Sequence, residues 1–280
     1  MGFANSIKFL QKIKFASRMF STQVKEKKIK ISSDISVNIV ESGQGKKSIL
    51  CMPGALGSAW TDFKPQIELL PKLLPDYKII AWDPPGYGKS IPPQKQFGLD
   101  FFNKDAEYAH QLMLELGSPN YSILGWSDGG ITAIILAGTN TKAVEKLVIW
   151  GANAFINEED VKLYEAIRDV KKWSPRMREP MEKIYGVDGF PKLWSDWVDI
   201  MTLIYKEKKG NICMEEVEKI SCPTLIVHGK KDPMISPEHV PYLKEKITNC
   251  SYYEFPEGKH NIHLRYAEQF NKLVSEFIKR

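Results

Sequence analysis

Five stretches of this chain are almost continuously apolar, and they restrict its fold more than any other feature. They are SILCMPG (48–54), YKIIAWD (77–83), YSILGWS (121–127), KLVIWGA (146–152) and PTLIVHG (223–229). A strand with one face in water alternates apolar and polar residues, whereas a strand covered on both faces of a parallel sheet need not. Helical patterns lie between them. The clearest is FFNKDAEYAHQLMLELG, which puts Phe101, Ala109, Leu112 and Leu116 on one stripe and offers Gly117 as a C-terminal cap. KKIKIS and ISVNIVESG, joined by a polar turn at Ser32 to Asp34, open the pattern as a hairpin. SYYEFPEG and the helical HNIHLRYAEQFNKLVSEFIKR close it. The expectation is an α/β fold with a mostly parallel, doubly wound, eight-stranded sheet and right-handed crossovers.

One interval departs from the alternation. About 70 residues separate KLVIWGA from PTLIVHG, far more than a crossover needs. They carry helical periodicity over 161–173, 180–185 and 193–204, so residues 155–218 read as a helical cap inserted over the sheet edge. A chain of 280 residues with 43% hydrophobic and 26% charged residues fits one large globular domain, and no apolar run approaches the ~18 residues of a membrane span. Cys51, Cys213, Cys222 and Cys250 show neither paired nor metal-ligand spacing and read as reduced thiols, mostly buried. No glycine-rich phosphate loop or metal cluster is visible, so no cofactor is expected.

The first 20 residues carry Lys8, Lys12, Lys14 and Arg18 and no acid, with Phe3, Ile7, Leu10 and Ile13 near helical spacing. That is the profile of a mitochondrial transit segment, with cleavage expected near Phe20 and residues 21–280 forming the folded domain; a cytoplasmic protein is the alternative. Removing residues 1–20 takes the formal charge from +5 to +1, so no basic excess remains to argue for nucleic acid. The mature protein is expected to be a monomer without stable membrane association.

Three strand ends carry reactive residues, which is where parallel α/β sheets place ligands. Gly125-Trp126-Ser127-Asp128-Gly129 is a G-x-S-x-G turn between a strand and the helical GGITAIILAG. Asp232 follows PTLIVHG, and His260 follows SYYEFPEG. Ser, Asp, His is the chain order of α/β hydrolases, so Ser127 reads as nucleophile, His260 as general base and acid, and Asp232 as the carboxylate that orients it. His228 and His263 read as structural. Pro53-Gly54-Ala55-Leu56-Gly57 follows SILCM, and the amide of Ala55 or Leu56 is expected to join that of Asp128 in an oxyanion hole.

Together, CMPGALGS, AWDPPGYGKS, the GWSDG elbow, VIWGANAF, YEAIRDVKKW, LIVHGKKDP and PEGKHNIHLR resemble the valacyclovir hydrolase, or biphenyl hydrolase-like, family over residues 27–277. The resemblance implies an α/β-hydrolase fold and a mitochondrial hydrolase of α-amino-acid esters. It also bears on Asp128. A carboxylate beside the nucleophile would repel the developing oxyanion unless the substrate brings a compensating cation, and the ammonium of an α-amino ester is one carbon from the scissile carbonyl. The resemblance likewise implies selection for a free α-amino group. Trp126, Trp150, Trp173, Trp194 and Trp197 are candidate pocket aromatics. Only Trp126, next to the nucleophile, is carried with Asp128 as an expected substrate contact, because tryptophans in helical segments more commonly pack a core. The rival readings are a carbon–carbon bond hydrolase acting on acidic dienoates, a general carboxylesterase, and a non-catalytic ligand receptor.

Overall fold

A computed structural model describes residues 23–280; the basic N-terminal segment and its expected cleavage point lie outside the described residues. The strands are β1 (Lys25–Lys30), β2 (Ser36–Ser42), β3 (Lys47–Met52), β4 (Tyr77–Trp82), β5 (Tyr121–Trp126), β6 (Val144–Trp150), β7 (Thr224–Gly229) and β8 (Cys250–Phe255). They form one sheet in the order β1-β2-β4-β3-β5-β6-β7-β8. β1 and β2 are the antiparallel hairpin, β2 runs antiparallel to β4, and the rest of the sheet is parallel.

The helices are α1 (Ala59–Leu73), α2 (Phe101–Glu115), α3 (Asp128–Thr139), α4 (Glu158–Ala166), α5 (Pro175–Tyr185), α6 (Gly189–Glu207), α7 (Met214–Lys219), α8 (His239–Lys246), α9 (Ile262–Arg265) and α10 (Ala267–Lys279). The period-two alternation hidden in the apolar runs is explicit in the packing. Leu50, Met52, Ile80, Trp82, Ile123, Leu147, Ile149 and Ile226 face one hydrophobic core, with α2, α3 and the cap. Ile49, Cys51, Ile79, Ala81, Leu124, Val148, Trp150, Leu225 and Val227 face the other, with α1 and α10. Both faces being covered is why the runs lack polar interruptions.

α2 ends as its sequence suggests. Gly117 has φ +67, its amide donates to the Leu114 carbonyl, and the Ser118 amide reaches back to Met113. These are the two bonds of a Schellman cap. Elsewhere helix bounds differ from the expectation. α5 starts at Pro175 after Ser174 and runs through Pro180, which the sequence suggested as its start. α1 continues past Pro65 and carries Pro71 in its last turn, starting from a reciprocal Ser58–Thr61 capping box. The final helix is broken at Tyr266 (φ −116, ψ 42) into α9 and α10. α7 packs on α3, so close that a Cβ on Gly138 would lie 2.3 Å from the Glu216 carbonyl oxygen. The helices of the inserted segment that reach the strand ends are therefore α4 to α6.

The sheet order reverses direction at β3 and β5, whose carboxyl ends lie side by side. The start of α3 is pressed against the end of β3. A Cβ on Gly129 would lie 2.0 Å from the Met52 carbonyl oxygen, which no side chain can tolerate without backbone movement. Gly129→Ala is therefore expected to destabilise the protein by about 1–3 kcal/mol, read as a lower urea midpoint at unchanged slope. An unchanged midpoint would contradict this close packing.

Candidate active site

β5 delivers Ser127 to a turn that an ordinary L-residue avoids. Its backbone sits at φ +55, ψ −125, a conformation costing on the order of 1–3 kcal/mol unless its surroundings enforce it. They do. The Ser127 amide donates to the Trp150 carbonyl at 3.0 Å, and its carbonyl accepts the amides of Gly130 at 2.8 Å and Ile131 at 3.0 Å. Gly125 allows the turn to close, since a Cβ there would lie 2.6 Å from the Gly129 carbonyl oxygen.

Asp232 and His260 meet across neighbouring strand ends. His260 Nδ1 lies 2.8 Å from Asp232 Oδ2 and 3.1 Å from Oδ1. Oδ1 also accepts the Met234 amide at 2.9 Å, and the carboxylate is almost fully buried. This pairing holds Nδ1–H toward the carboxylate and leaves Nε2 for the nucleophile side. His260 packs over Gly151, whose φ of +60 and missing Cβ make room for the ring: a Cβ would be 2.8 Å from Cε1. Gly151 directly follows Trp150, the residue that binds the Ser127 amide. Among the described residues Ser127 Oγ makes no hydrogen bond to His260; in ligand-free sites such bonds commonly tighten only when substrate is bound.

The turn after β3 supplies backbone donors. Gly57 donates to the Gly54 carbonyl at 3.0 Å, closing a turn in which Leu56 adopts φ +56, left-handed backbone that costs leucine roughly 1–2 kcal/mol. Gly54 lies against Ser127, where an added Cβ would come within 3.2 Å of the serine Cβ. Beneath the turn, buried Asp62 accepts the Gly54 amide at 3.0 Å and the Thr61 hydroxyl at 2.7 Å. Burial raises its carboxyl to about 7. On α3, Asp128 occupies the first helical position, where backbone amides have no partner within the helix.

The Asp128 side chain is only 7% exposed. Its Oδ2 accepts the Trp197 indole N–H from α6 at 2.7 Å. It lines a small cavity with Met52, Pro53, Trp82, Tyr87 and Asp105. Burial pushes its carboxyl up to about 7, with the Trp197 bond and Lys95 pulling it down and Asp105 pushing it up. Lys95 is itself committed: its ammonium lies 2.5 Å from Asp105 Oδ2, with both side chains nearly buried, and 4.7 Å from the Tyr87 ring centre. Asp128 is thus a buried carboxylate with one neutral donor and no ion pair among the described residues.

Trp126 stands elsewhere than expected. Its indole donates to the His260 carbonyl at 3.0 Å, and its ring packs against His260 and His263 at 5.4 and 4.5 Å. It supports the histidine loop and does not line the Asp128 cavity. The tryptophan that reaches Asp128 is Trp197, and the sequence offered one signal for it: a buried indole N–H needs an acceptor. Trp173, Trp194 and Trp197 stack edge and face in the cap core, at 4.8 Å between successive rings. His263 is fully buried, accepts the Trp150 indole N–H at 2.9 Å, and is lowered to about 3 by burial. His228 is half-buried, which also lowers it. The three apolar-flanked thiols Cys51, Cys213 and Cys222 are buried, and Cys250 is partly exposed.

Comparison with known proteins bears on the fold and the family. Residues 47–181 match the alpha/beta hydrolase fold family. The chain is 44% identical over 259 residues to the protein named Serine hydrolase BPHL in Mus musculus, and equally to that of Homo sapiens, covering 92% of this chain and 88% of each relative. Among solved structures, the 2-hydroxy-6-oxo-6-phenylhexa-2,4-dienoate hydrolase of Rhodococcus sp. strain RHA1 superposes with a TM-score of 0.76 at 15% identity, over 93% of this chain and all of that one. That likeness is one of fold. Identity of 44% across nearly the whole length goes further: the chain belongs to the biphenyl hydrolase-like serine hydrolases of the α/β-hydrolase fold.

Proposed function

We propose that the protein hydrolyses small carboxylic esters whose acyl part bears a free α-amino group, through an acyl-enzyme on Ser127. The observation that carries this reading is Asp128, a buried carboxylate next to the nucleophile with a neutral hydrogen-bond donor and, among the described residues, no cation of its own. A substrate ammonium would supply the missing charge, and pairing inside a desolvated cavity discriminates strongly against a neutral acyl group. Lys95 cannot serve in its place while Asp105 holds it.

In the proposed sequence Ser127 Oγ attacks the ester carbonyl carbon as His260 Nε2 takes its proton, and Asp232 steadies the resulting imidazolium. The oxyanion accepts hydrogen bonds from the amide of Asp128 and that of Ala55 or Leu56. Collapse breaks the C–O bond, His260 returns the proton to the leaving alcohol, and water repeats the steps on the acyl-enzyme. An anionic dienoate of the kind named for the Rhodococcus hydrolase would meet Asp128 with like charge, which weighs against carbon–carbon cleavage here. With residues 1–20 as a transit segment, we place the mature, monomeric enzyme in the mitochondrial matrix.

Matched benzyl esters test the specificity, one of valine and one of N-acetylvaline. The wild type is expected to favour the free amine in kcat/KM by about a hundredfold or more, some 2.7 kcal/mol. Asp128→Asn should bring the ratio close to one while sparing the acetylated ester. Equal wild-type rates would sink the assignment.

The same ratio has a pH signature in which steps common to both esters cancel. Because the Asp128 carboxyl sits at about 7 and binds ammonium only when ionised, the ratio should rise about tenfold per pH unit below that point. It should level above it, until the substrate amine itself loses its proton. Trp197→Phe removes a bond that favours the ionised form, so the inflection should move to higher pH; a static inflection would mean that this bond does not stabilise the carboxylate.

A further inference from the structure

Tyr185, in the last turn of α5, belongs to the cap but makes its polar contacts with the body. Its hydroxyl donates to the Leu56 carbonyl at 2.7 Å and accepts the Gly88 amide at 3.1 Å. Leu56 is the residue at φ +56 in the turn after β3, and Gly88, at φ +51, lies in the loop after β4. One phenol therefore joins two body loops that the sheet alone would leave side by side.

The rest of the turn is held from within the body. Asp62 takes the Gly54 amide, Gly57 bonds back to Gly54, and Asp83 Oδ1 takes the Ala59 amide at 2.7 Å. These bonds fix both ends of the segment. Its middle carbonyl, that of Leu56, has only Tyr185 as partner among the described residues. That carbonyl shares its peptide plane with the Gly57 amide, so the Gly57–Gly54 bond holds the plane from the body side and Tyr185 holds it from the cap side. Tyr185 can hold it because a phenol is a protonated donor at neutral pH, and burial raises its pKa further.

We propose that Tyr185 is a positioning residue that makes the oxyanion-binding turn dependent on a seated cap. With α5 in place, the turn presents its amides to the position above Ser127. With α5 displaced, the Leu56 carbonyl loses its donor, the left-handed turn is held only by the Gly57–Gly54 bond, and the amide it contributes to the hole is less firmly aimed. Substrate capture under the cap and stabilisation of the tetrahedral intermediate are thereby linked through one hydroxyl. This rests on Ser127 being the nucleophile but not on the amino-ester preference.

The test uses a neutral activated ester, 4-nitrophenyl acetate, so that Asp128 recognition plays no part. Tyr185→Phe is expected to lower kcat by about tenfold or more, in the direction of the roughly 10²–10³ lost with a whole oxyanion donor, with KM changed by less than about twofold. The affinity of phenylboronic acid, whose tetrahedral serine adduct places an oxygen in the hole, should fall by a similar factor. Amide hydrogen exchange should quicken at residues 54–57 and stay unchanged in the strands. Tyr185→Leu, which also removes the ring, should match the phenylalanine variant. The proposal is overturned if Tyr185→Phe keeps kcat and boronate affinity within about twofold of wild type, if the loss is confined to KM, or if only the leucine variant is impaired. Ser127→Ala runs alongside: if it retained esterase activity, the site reading would fall together with this proposal, whereas an inactive Ser127→Ala with an unaffected Tyr185→Phe overturns the proposal alone.

Discussion

The backbone of α3 touches the end of β3 at a distance only glycine permits, and the arrangement of the site follows from that contact. With Gly129 against the Met52 carbonyl, and Gly125 closed onto the same turn, the first turn of α3 lies beside the turn that follows β3. The first turn of α3 and the turn after β3 then both lie beside Ser127. A larger residue at 129 would separate them. The sheet order brings the ends of β3 and β5 together, and β6 adds the Trp150 carbonyl that holds the Ser127 amide in its unusual conformation.

Asp83, Asp62, Asp105 and Asp128 are all buried around this junction, and their partners separate structure from recognition. Asp83 receives the amides of Ala59 and Lys89 and the side-chain amide of Asn38. Asp62 receives the Gly54 amide and the Thr61 hydroxyl. Asp105 holds Lys95. Each serves a loop. Among the described residues Asp128 receives the Trp197 indole alone, and burial raises its carboxyl to about 7, as it does that of Asp62. A carboxylate so placed costs stability whenever it is ionised in the folded protein, an expense that makes sense if a cation arrives with the substrate.

The sheet was legible because its strands are covered on both faces, which leaves continuous apolar runs in the sequence. Ser127, Asp232 and His260 were legible as candidates because each follows such a run and their chain order matches a known hydrolase pattern. Tyr185 and Trp197 were not, since their partners Leu56 and Asp128 lie 129 and 69 residues away and meet them only when the cap is folded over the strand ends. The same holds for Lys95 and Asp105, which look like surface residues of a loop and a helix until the loop turns inward. Trp126 misled through proximity in sequence: next to the nucleophile along the chain, it points toward the histidine loop. Pro180 obscured the true start of α5, which lies at Pro175, where a first-turn proline costs no hydrogen bond.

The link between the elbow and an ammonium site is most directly tested by a crystal structure of the enzyme with an α-aminoalkyl phosphonate ester of valine shape, covalently attached to Ser127. The expected result has the ammonium nitrogen within hydrogen-bond distance of the Asp128 carboxylate and one phosphonyl oxygen on the amides of Asp128 and the 55–56 turn. An adduct whose ammonium points to solvent or to another acceptor, with Asp128 still bound only to Trp197, would contradict it.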